Sequence, residues 1–160
     1  MIPQTERAHC PICGAETEMP VDTLTSLASG PELIAAAMRE ARPAAREGWS
    51  PAEVAVHLAD TEVVSGWRYR QILAEDEATI QPYDQDRWAA GLHYDKRDID
   101  LALEAFASAR RANLELLQLL SDDDWQRAYH HGEYGRLTLR QKVRHISDHD
   151  LAHLRQIRGS

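Results

Sequence analysis

Three histidines recur at four-residue spacing near the end of the chain: His145, His149 and His153. On an α-helix this spacing places their side chains on one face, one turn apart. Two imidazoles one turn apart can bind a single metal ion, so the spacing permits a site at either neighbouring pair. The competing interpretation is a polar helix edge with partly exposed histidines, and the spacing alone does not choose between the two.

The segment around these histidines has helix signals at both ends. Thr138 and Gln141 form a capping-box pattern, and Gly159 follows the segment where a left-handed C-cap is expected. Between them the apolar residues keep a helical period. The predicted apolar stripe consists of Leu139, Val143, Ile146, Leu154 and Ile157.

On a helical wheel, His153 lies closest to the centre of this stripe, His149 next and His145 furthest towards solvent. The wheel therefore favours the inner pair as ligands. Asp150 falls near the centre of the stripe, where an unpaired carboxylate would be unfavourable. We expect a site histidine or a group on a neighbouring helix to hydrogen-bond to it.

Length and composition restrict the class of protein. The 160 residues suffice for one sizeable core, and 43% hydrophobic with 28% charged residues is an ordinary soluble composition. The net charge of −8 and the lack of basic patches disfavour nucleic acid and anionic membrane as main partners. There is no apolar run of membrane-spanning length and no signal segment. We expect a cytoplasmic monomer or homodimer with a small-molecule partner.

The first 20 residues form a predicted extension ahead of a single domain over residues 21–160. Cys10 and Cys13, with Pro, Ile and Gly around them, resemble one half of a zinc ribbon. Tetrahedral zinc needs four ligands, so His9, another histidine or a second chain would have to complete this second metal site. Free thiols or an exposed redox pair are the competing interpretations.

The remaining helices have recognisable starts. Ser50 and Glu53 enclose a proline at the first helical position, which predicts a helix to about residue 75. His57 lies at the edge of its inner face, and Arg68 is on the same edge three turns on. A first helix is expected to begin at Pro31 after Ser29, and a third is expected over residues 98–120.

The connection over residues 76–97 is polar and aromatic, and it contains Trp88 and Tyr94. Long connections of this kind often form the wall of a site, so these two residues and Arg68 are pocket candidates. The competing interpretation is that the aromatic residues only cover the end of the core. His130 and His131 are expected to be exposed loop residues. Strand pairs are expected only near the cysteines, with no β-sheet within residues 50–158.

At this point the chain resembles a known family. The segments that carry the resemblance are Trp49–Glu62 (WSPAEVAVHLADTE), Trp125, Gly135–Gln141 (GRLTLRQ) and His149–Ile157 (HDLAHLRQI). Their order and spacing are similar to those of the DinB/YfiT-like superfamily of metal-dependent enzymes, over about residues 24–158. The resemblance implies an all-α four-helix bundle with one long crossover connection. It also implies a metal bound by three histidines, which correspond here to His57, His149 and His153.

Three nitrogen ligands would leave coordination positions for water or substrate, as in catalytic rather than structural sites. Nitrogen ligation suits zinc or nickel and does not choose between them. Asp60, Asp148 and Asp150 are candidates for orienting the imidazoles, and no residue stands out as a general base. The family implies a hydrolase or a transferase that uses a low-molecular-weight thiol. A non-catalytic metal-binding or stress-response module, and an interaction module that docks through the cysteines, are the alternatives.

Overall fold

The computed structural model describes residues 20–41 and 48–159. It contains four long helices, and two short helices and three short strands lie in the connections between them. In chain order the elements are α1 (Pro20–Glu40), α2 (Pro51–Ala74), β1 (Thr79–Ile80), α3 (Gln85–Gly91), a 3₁₀ turn (Tyr94–Lys96), α4 (Ile99–Gln118), α5 (Asp122–Trp125), β2 (Ala128–His131), β3 (Gly135–Thr138) and α6 (Leu139–Arg158). No helix among the described residues combines the length with the apolar composition that a membrane span requires.

The long helices form the predicted four-helix bundle. Helix α4 packs against α1 and α2, and α6 packs against the same two helices from the other side. Consecutive helices α1 and α2 touch little and therefore lie diagonally across the bundle. A long connection over residues 75–98 leads from α2 to α4, as predicted, and it carries β1, α3 and the 3₁₀ turn.

The caps at the ends of α2 and α6 follow the sequence signals. Ser50 accepts a hydrogen bond from the amide of Glu53, and the Glu53 carboxylate accepts one from the amide of Ser50. Thr138 and Gln141 form the same reciprocal pair, and Gly159 ends α6 with a φ of 79°. These contacts satisfy backbone groups that a helix end leaves without partners. The start and end of α6, which carries His145, His149 and His153, are therefore determined by residues close in sequence.

Helix α1 begins eleven residues before the predicted start at Pro31. Proline has no N–H, so within a helix it leaves the carbonyl four residues earlier without a donor. Here that carbonyl belongs to Leu27, and it accepts a hydrogen bond of 2.8 Å from Nη1 of Arg110 on α4. The prediction was wrong because a tertiary contact replaces the missing backbone hydrogen bond, and the helix continues through the proline.

The expectation of no sheet within residues 50–158 was also wrong. Strands β1 and β2 pair in parallel, and β2 pairs antiparallel with β3. Each strand has only two to four residues, and β1 joins β2 through hydrogen bonds to the carbonyls of Ala78 and Ile80. Sequence patterns favour strands only over longer alternating runs, so pairing between segments fifty residues apart left little signal. The sheet covers one end of the bundle core with Ile80, Tyr129 and Leu137.

A buried ionic cluster connects all four long helices. Nη1 of Arg110 on α4 donates to Asp150 on α6 at 2.7 Å, and Nη2 donates to Glu62 on α2 at 2.7 Å. Asn113 donates to the other oxygen of Glu62 at 2.8 Å. The Leu27 carbonyl is the contribution of α1. The expected partner of Asp150 is therefore a group on a neighbouring helix.

Small residues make room for this cluster. A Cβ at Gly30 would lie 2.8 Å from Oδ2 of Asp150, and a Cβ at Gly66 would lie 2.4 Å from Oδ1 of Asn113. Real Cβ atoms do not approach so closely, so both helices present bare backbone to the polar groups. The close approach of the helices and the cluster between them therefore depend on each other.

We predict that Asp150→Ala destabilises the protein by about 3 kcal/mol, because it leaves one side of a buried guanidinium unpaired. The loss lies at the lower end of the usual range since Glu62 still pairs with Arg110. Denaturant unfolding at pH 8 measures it, because burial raises the pKa of Asp150 to about 6 and the carboxylate is then ionised.

Asp148→Ala is the matched control. Asp148 pairs with Arg144 one turn earlier on the same helix, at a more accessible position. Its removal should change the free energy of unfolding by no more than about 1 kcal/mol. Equal effects of the two variants would contradict a structural role for the cluster.

Candidate metal centre

Helices α2 and α6 bring three imidazoles together. Nε2 of His149 lies 3.1 Å from Nε2 of His57 and 3.2 Å from Nε2 of His153. One nitrogen of each ring lies within 4.8 Å of the others. His57 is 1% exposed, and the other two are partly buried. The structure thus joins the inner pair on α6 with the histidine of α2.

The spacing of these nitrogens fits a shared cation. Tetrahedral zinc with Zn–N bonds of about 2.0–2.1 Å places its ligand nitrogens about 3.3 Å apart. Hydrogen bonds between neutral rings fit less well. Nε2 of His149 either carries a hydrogen or accepts one, so it cannot form good hydrogen bonds with both of its neighbours. A cation among the rings would interact favourably with a lone pair from each.

The outer nitrogens show how the rings are oriented. Nδ1 of His153 lies 2.8 Å from Oε1 of Gln156, which requires the hydrogen to be on Nδ1 and leaves a lone pair on Nε2. Nδ1 of His57 and Nδ1 of His149 are buried without a hydrogen-bond partner among the described residues. Among the described residues, His153 is thus the only one of the three whose Nδ1 is held by a hydrogen bond, and the partner is the side-chain amide of Gln156.

The electrostatic surroundings keep the imidazoles neutral. Burial, with a smaller contribution from the charge of His153, lowers the pKa of His57 to about 3. Burial also lowers the pKa of His149 and of His153 below the usual value. Metals bind the neutral imidazole, so these rings are ready to act as ligands at physiological pH.

Aromatic and hydroxyl groups surround the three rings. The indole of Trp49 packs on the His57 ring with centroids 4.7 Å apart, which shields that side from water. The hydroxyl of Thr61 lies 3.4 Å from Nε2 of His57 and 3.3 Å from the hydroxyl of Tyr83. A hydrogen-bonded path therefore leads from the histidines to a tyrosine on the long connection.

A cavity of about 220 Å³ opens beside His57 and His149. The long connection, the sheet, α2 and α6 all contribute to its wall. We call it the metal-facing cavity, and its lining includes Thr61, Ser65, Arg68, Tyr83, Tyr129, His131, Glu133, Tyr134, Lys142 and His145. Its volume suits a small molecule rather than a polymer.

The carboxylates proposed to orient the imidazoles have other partners. Both oxygens of Asp60 lie 2.9 Å from Nη1 of Arg97, and Asp148 pairs with Arg144. Asp150 points to the buried Arg110 cluster. The expectation was wrong for Asp60 and Asp150, because arginines on other elements provide stronger, charge-assisted hydrogen bonds.

The remaining candidates are distributed differently from the prediction. Arg68 lines the metal-facing cavity. Trp88 packs on Tyr83, a residue of the cavity wall, with ring centroids 4.3 Å apart. Tyr94 is buried against Trp49 and does not line the cavity. The ring of His145 lies 6.2 Å from that of His149, outside the three-histidine group.

His9, Cys10 and Cys13 lie outside the described residues, and the second metal site remains a prediction.

Sequence reasoning missed several residues of the site. His131 is only 7% exposed and faces the cavity from β2, whereas an exposed loop was expected. Gln156 follows His153 by three residues, a spacing at which helix side chains meet, so this signal was available. Thr61 follows His57 by four residues and could have been recognised in the same way. Only the folding of the sheet could reveal His131.

Comparison with known proteins identifies the family. Residues 22–157 match the DinB superfamily. A protein from Oceanobacillus iheyensis named "Putative metal-dependent hydrolase" is 28% identical over 110 residues, which cover 69% of this chain and 63% of that protein. A Bacillus cereus protein of the same name is 30% identical over 92 residues, or 58% of this chain and 53% of that protein. The chain thus spans less than two thirds of the length of these relatives.

The fold has a solved counterpart. YfiT from Bacillus subtilis, described as "a probable metal-dependent hydrolase with an unusual four-helix bundle topology", superposes with a TM-score of 0.80 at 23% identity. The superposition covers 86% of this chain and 83% of YfiT. The match over residues 22–157, together with this shared architecture, shows that the chain belongs to the DinB superfamily.

Proposed function

We propose that the protein is an enzyme that binds one divalent cation, zinc or nickel, through His57, His149 and His153. In this proposal it hydrolyses a small molecule bound in the metal-facing cavity. The observation that carries the proposal is the convergence of three neutral Nε2 atoms beside a cavity. The names of the two bacterial relatives support hydrolysis as the reaction class.

The cavity distinguishes an enzyme from a non-catalytic metal-binding module. A site that only stores or senses a metal needs no space beside its ligands, whereas a catalytic site must admit substrate. Here the space next to His57 and His149 is bordered by polar side chains from four elements. This arrangement favours turnover over simple metal retention.

The protein's own residues would have separate tasks. The three imidazoles hold the cation, and Gln156 keeps the His153 ring in the required tautomer. Trp49 excludes water from behind His57. The hydroxyls of Thr61 and Tyr83, 3.3 Å apart, can hydrogen-bond to a molecule bound in the cavity. When bound, the cation would lower the pKa of a water or thiol, or polarise a carbonyl.

Transfer to a low-molecular-weight thiol is the second reaction class that this arrangement can perform. The same cation would stabilise a thiolate instead of a hydroxide. Both reactions need the same three histidines, so only the requirement for a thiol separates them.

We predict that alanine at His57, His149 or His153 weakens metal affinity by more than about 100-fold. Loss of a ligand should exceed the 10- to 100-fold effect of losing an orienting residue. Metal content at neutral pH measures it, in a background with Cys10→Ser and Cys13→Ser so that only this site is counted. Quenching of Trp49 fluorescence by Ni²⁺ provides a second measurement, because its ring lies 4.7 Å from that of His57.

His145→Ala is the matched control, since His145 lies one turn away on the same helix. It should retain full metal content. Full retention by the His57 variant, or loss from the His145 variant alone, would refute the assignment of ligands.

We also predict that metal affinity changes little between pH 7.5 and 6.0. Three histidines with an ordinary pKa near ~6.5 would lose about 50-fold in affinity over this range, because protons would occupy the ligands. Burial lowers the pKa of all three rings, and that of His57 to about 3, so fewer protons compete with the metal at pH 6. Calorimetric titration should show that zinc affinity falls by less than about tenfold between these pH values. A fall of about 50-fold would show that the three histidines have ordinary pKa values.

A substrate screen tests the reaction class. Zinc-loaded and nickel-loaded protein should hydrolyse members of a panel of small esters and amides without added thiol, and His149→Ala should be inactive. Activity that appears only when a small thiol is added would identify the transferase instead. Full activity of the His149 variant would contradict both.

A further inference from the structure

We propose that the metal-facing cavity takes a small substrate with an oxyanion group, a carboxylate or a phosphate. Arg68 would bind this group as an ion partner, and His131 would bind it as a neutral hydrogen-bond donor. The inference rests on the proposed function for the reacting end of the substrate. The anion subsite itself consists of residues that do not belong to the three-histidine group.

Among the described residues, Arg68 is a cation without a carboxylate partner. Its Nη2 donates to the carbonyl of Gln81 at 2.6 Å, and its guanidinium lies 5.4 Å from the centre of the Tyr83 ring. No carboxylate of the described residues forms an ion pair with it. Burial lowers the pKa of Arg68, as expected for a desolvated cation. One N–H of five serves Gln81, so others are available to a ligand.

His131 presents a donor to the same cavity. Its Nδ1 accepts hydrogen bonds from the backbone amides of Glu133 and Tyr134, at 3.2 and 3.3 Å. In a neutral ring the hydrogen must then be on Nε2. Burial, and next the charges of Arg68 and Lys142, lower the pKa of His131, so the ring is neutral at physiological pH. The turn between β2 and β3 thus fixes the His131 tautomer that carries its hydrogen on Nε2.

The charge of the cavity is unlike that of the whole chain. The chain carries a net charge of −8, yet Arg68 and Lys142 line the cavity against one carboxylate, that of Glu133. Lys142 is 5% exposed and lies near enough to influence His131, His145 and His149. The guanidinium of Arg68 in such a cavity attracts an anion and disfavours a cationic substrate.

A purely structural role for Arg68 is the competing explanation. The hydrogen bond to Gln81 anchors the long connection to α2, and the charge would then be incidental. This role predicts that Arg68 variants change stability but not the affinity for anions, so the two roles are separable.

Phosphate, propionate and uncharged propionamide serve as probes at constant ionic strength. They are titrated into zinc-loaded protein, and NMR shifts of the Glu133 and Tyr134 amides, which bond to His131, report binding. We expect both anions to bind and propionamide to bind at least about tenfold more weakly, because charged hydrogen bonds are the stronger ones. The tighter of the two anions identifies the substrate group as phosphate or carboxylate.

Arg68→Gln should weaken anion binding about tenfold or more, whereas Arg68→Lys, which keeps the charge, should lose less. His131→Asn retains an acceptor for the turn amides and removes the Nε2–H, so we expect about a fivefold loss. Arg111→Gln on the exposed face of α4 and His130→Asn on the opposite face of β2 are the matched controls, and both should bind like the unchanged protein.

Unchanged affinity in Arg68→Gln, or equal binding of propionamide and propionate, would overturn the proposal. The titration is repeated with metal-free protein, so that failure of the anion subsite can be distinguished from failure of the proposed metal-dependent function. Binding that persists there and still depends on Arg68 supports the anion subsite even if the histidines prove to bind no metal. Binding that requires zinc and ignores Arg68 would place the anion on the metal and refute the subsite.

Discussion

The structure depends on the buried guanidinium of Arg110. Two carboxylates, from α2 and α6, and a carbonyl of α1 all bind this one side chain of α4. A buried ion pair seldom adds much stability, but a buried charge that loses its partner is strongly unfavourable. A slip of α6 by one turn would move Asp150 by about 5.4 Å and leave Arg110 without it. The cluster therefore selects one vertical arrangement of the helices.

That arrangement separates the apolar core into two layers. One layer contains Trp125 and Tyr129 near the sheet, and the other contains Phe106 and Leu154 near Trp49. Apolar contacts tolerate sliding, since one methyl group can replace another at similar free energy. Directional hydrogen bonds do not, and they lie between the two layers. The two apolar layers thus stabilise the fold, whereas the ionic cluster fixes how the helices are aligned along the bundle.

Alignment is what the candidate metal centre requires. Asp150 directly follows His149 on α6, and Glu62 directly follows Thr61 on α2, so the ionic cluster and the histidines share both helices. Contacts of 3.1 and 3.2 Å between imidazole nitrogens leave no tolerance for a shift of one residue. Asp150 thus influences the site through helix position, without contact with an imidazole. Asp150 can therefore matter for the position of His149 and His153 although it does not hydrogen-bond to either ring.

The non-helical segments complete the site. The bundle alone would present three histidines at its surface, and Tyr83 and His131 from the connection and the sheet enclose the space beside them. Short strands suit this task because one face packs on the bundle core, as Tyr129 and Leu137 do, while His131 lines the cavity. Variation in such segments can change the substrate while the bundle and its histidines are retained.

The sequence by itself determined the elements that local rules control. Capping boxes at Ser50 and Thr138 and the terminal Gly159 defined helix ends, and helical period identified the buried faces. The face of α6 distinguished His149 and His153 from His145 by geometry within one helix. The family resemblance pointed to the same pair with His57, and the structure brings these three rings together.

Only the tertiary structure decided the features that depend on residues far apart in the chain. Helix α1 continues through Pro31 because Arg110, 83 residues after Leu27, supplies the missing donor. Asp60 and Asp150 pair with arginines rather than imidazoles for the same reason. The parallel pairing of β1 with β2, which places His131 beside Ile80, joins segments about fifty residues apart. Helical period and caps report interactions within a few residues, whereas hydrogen-bond partners are chosen by whichever groups the folded chain brings within about 3 Å.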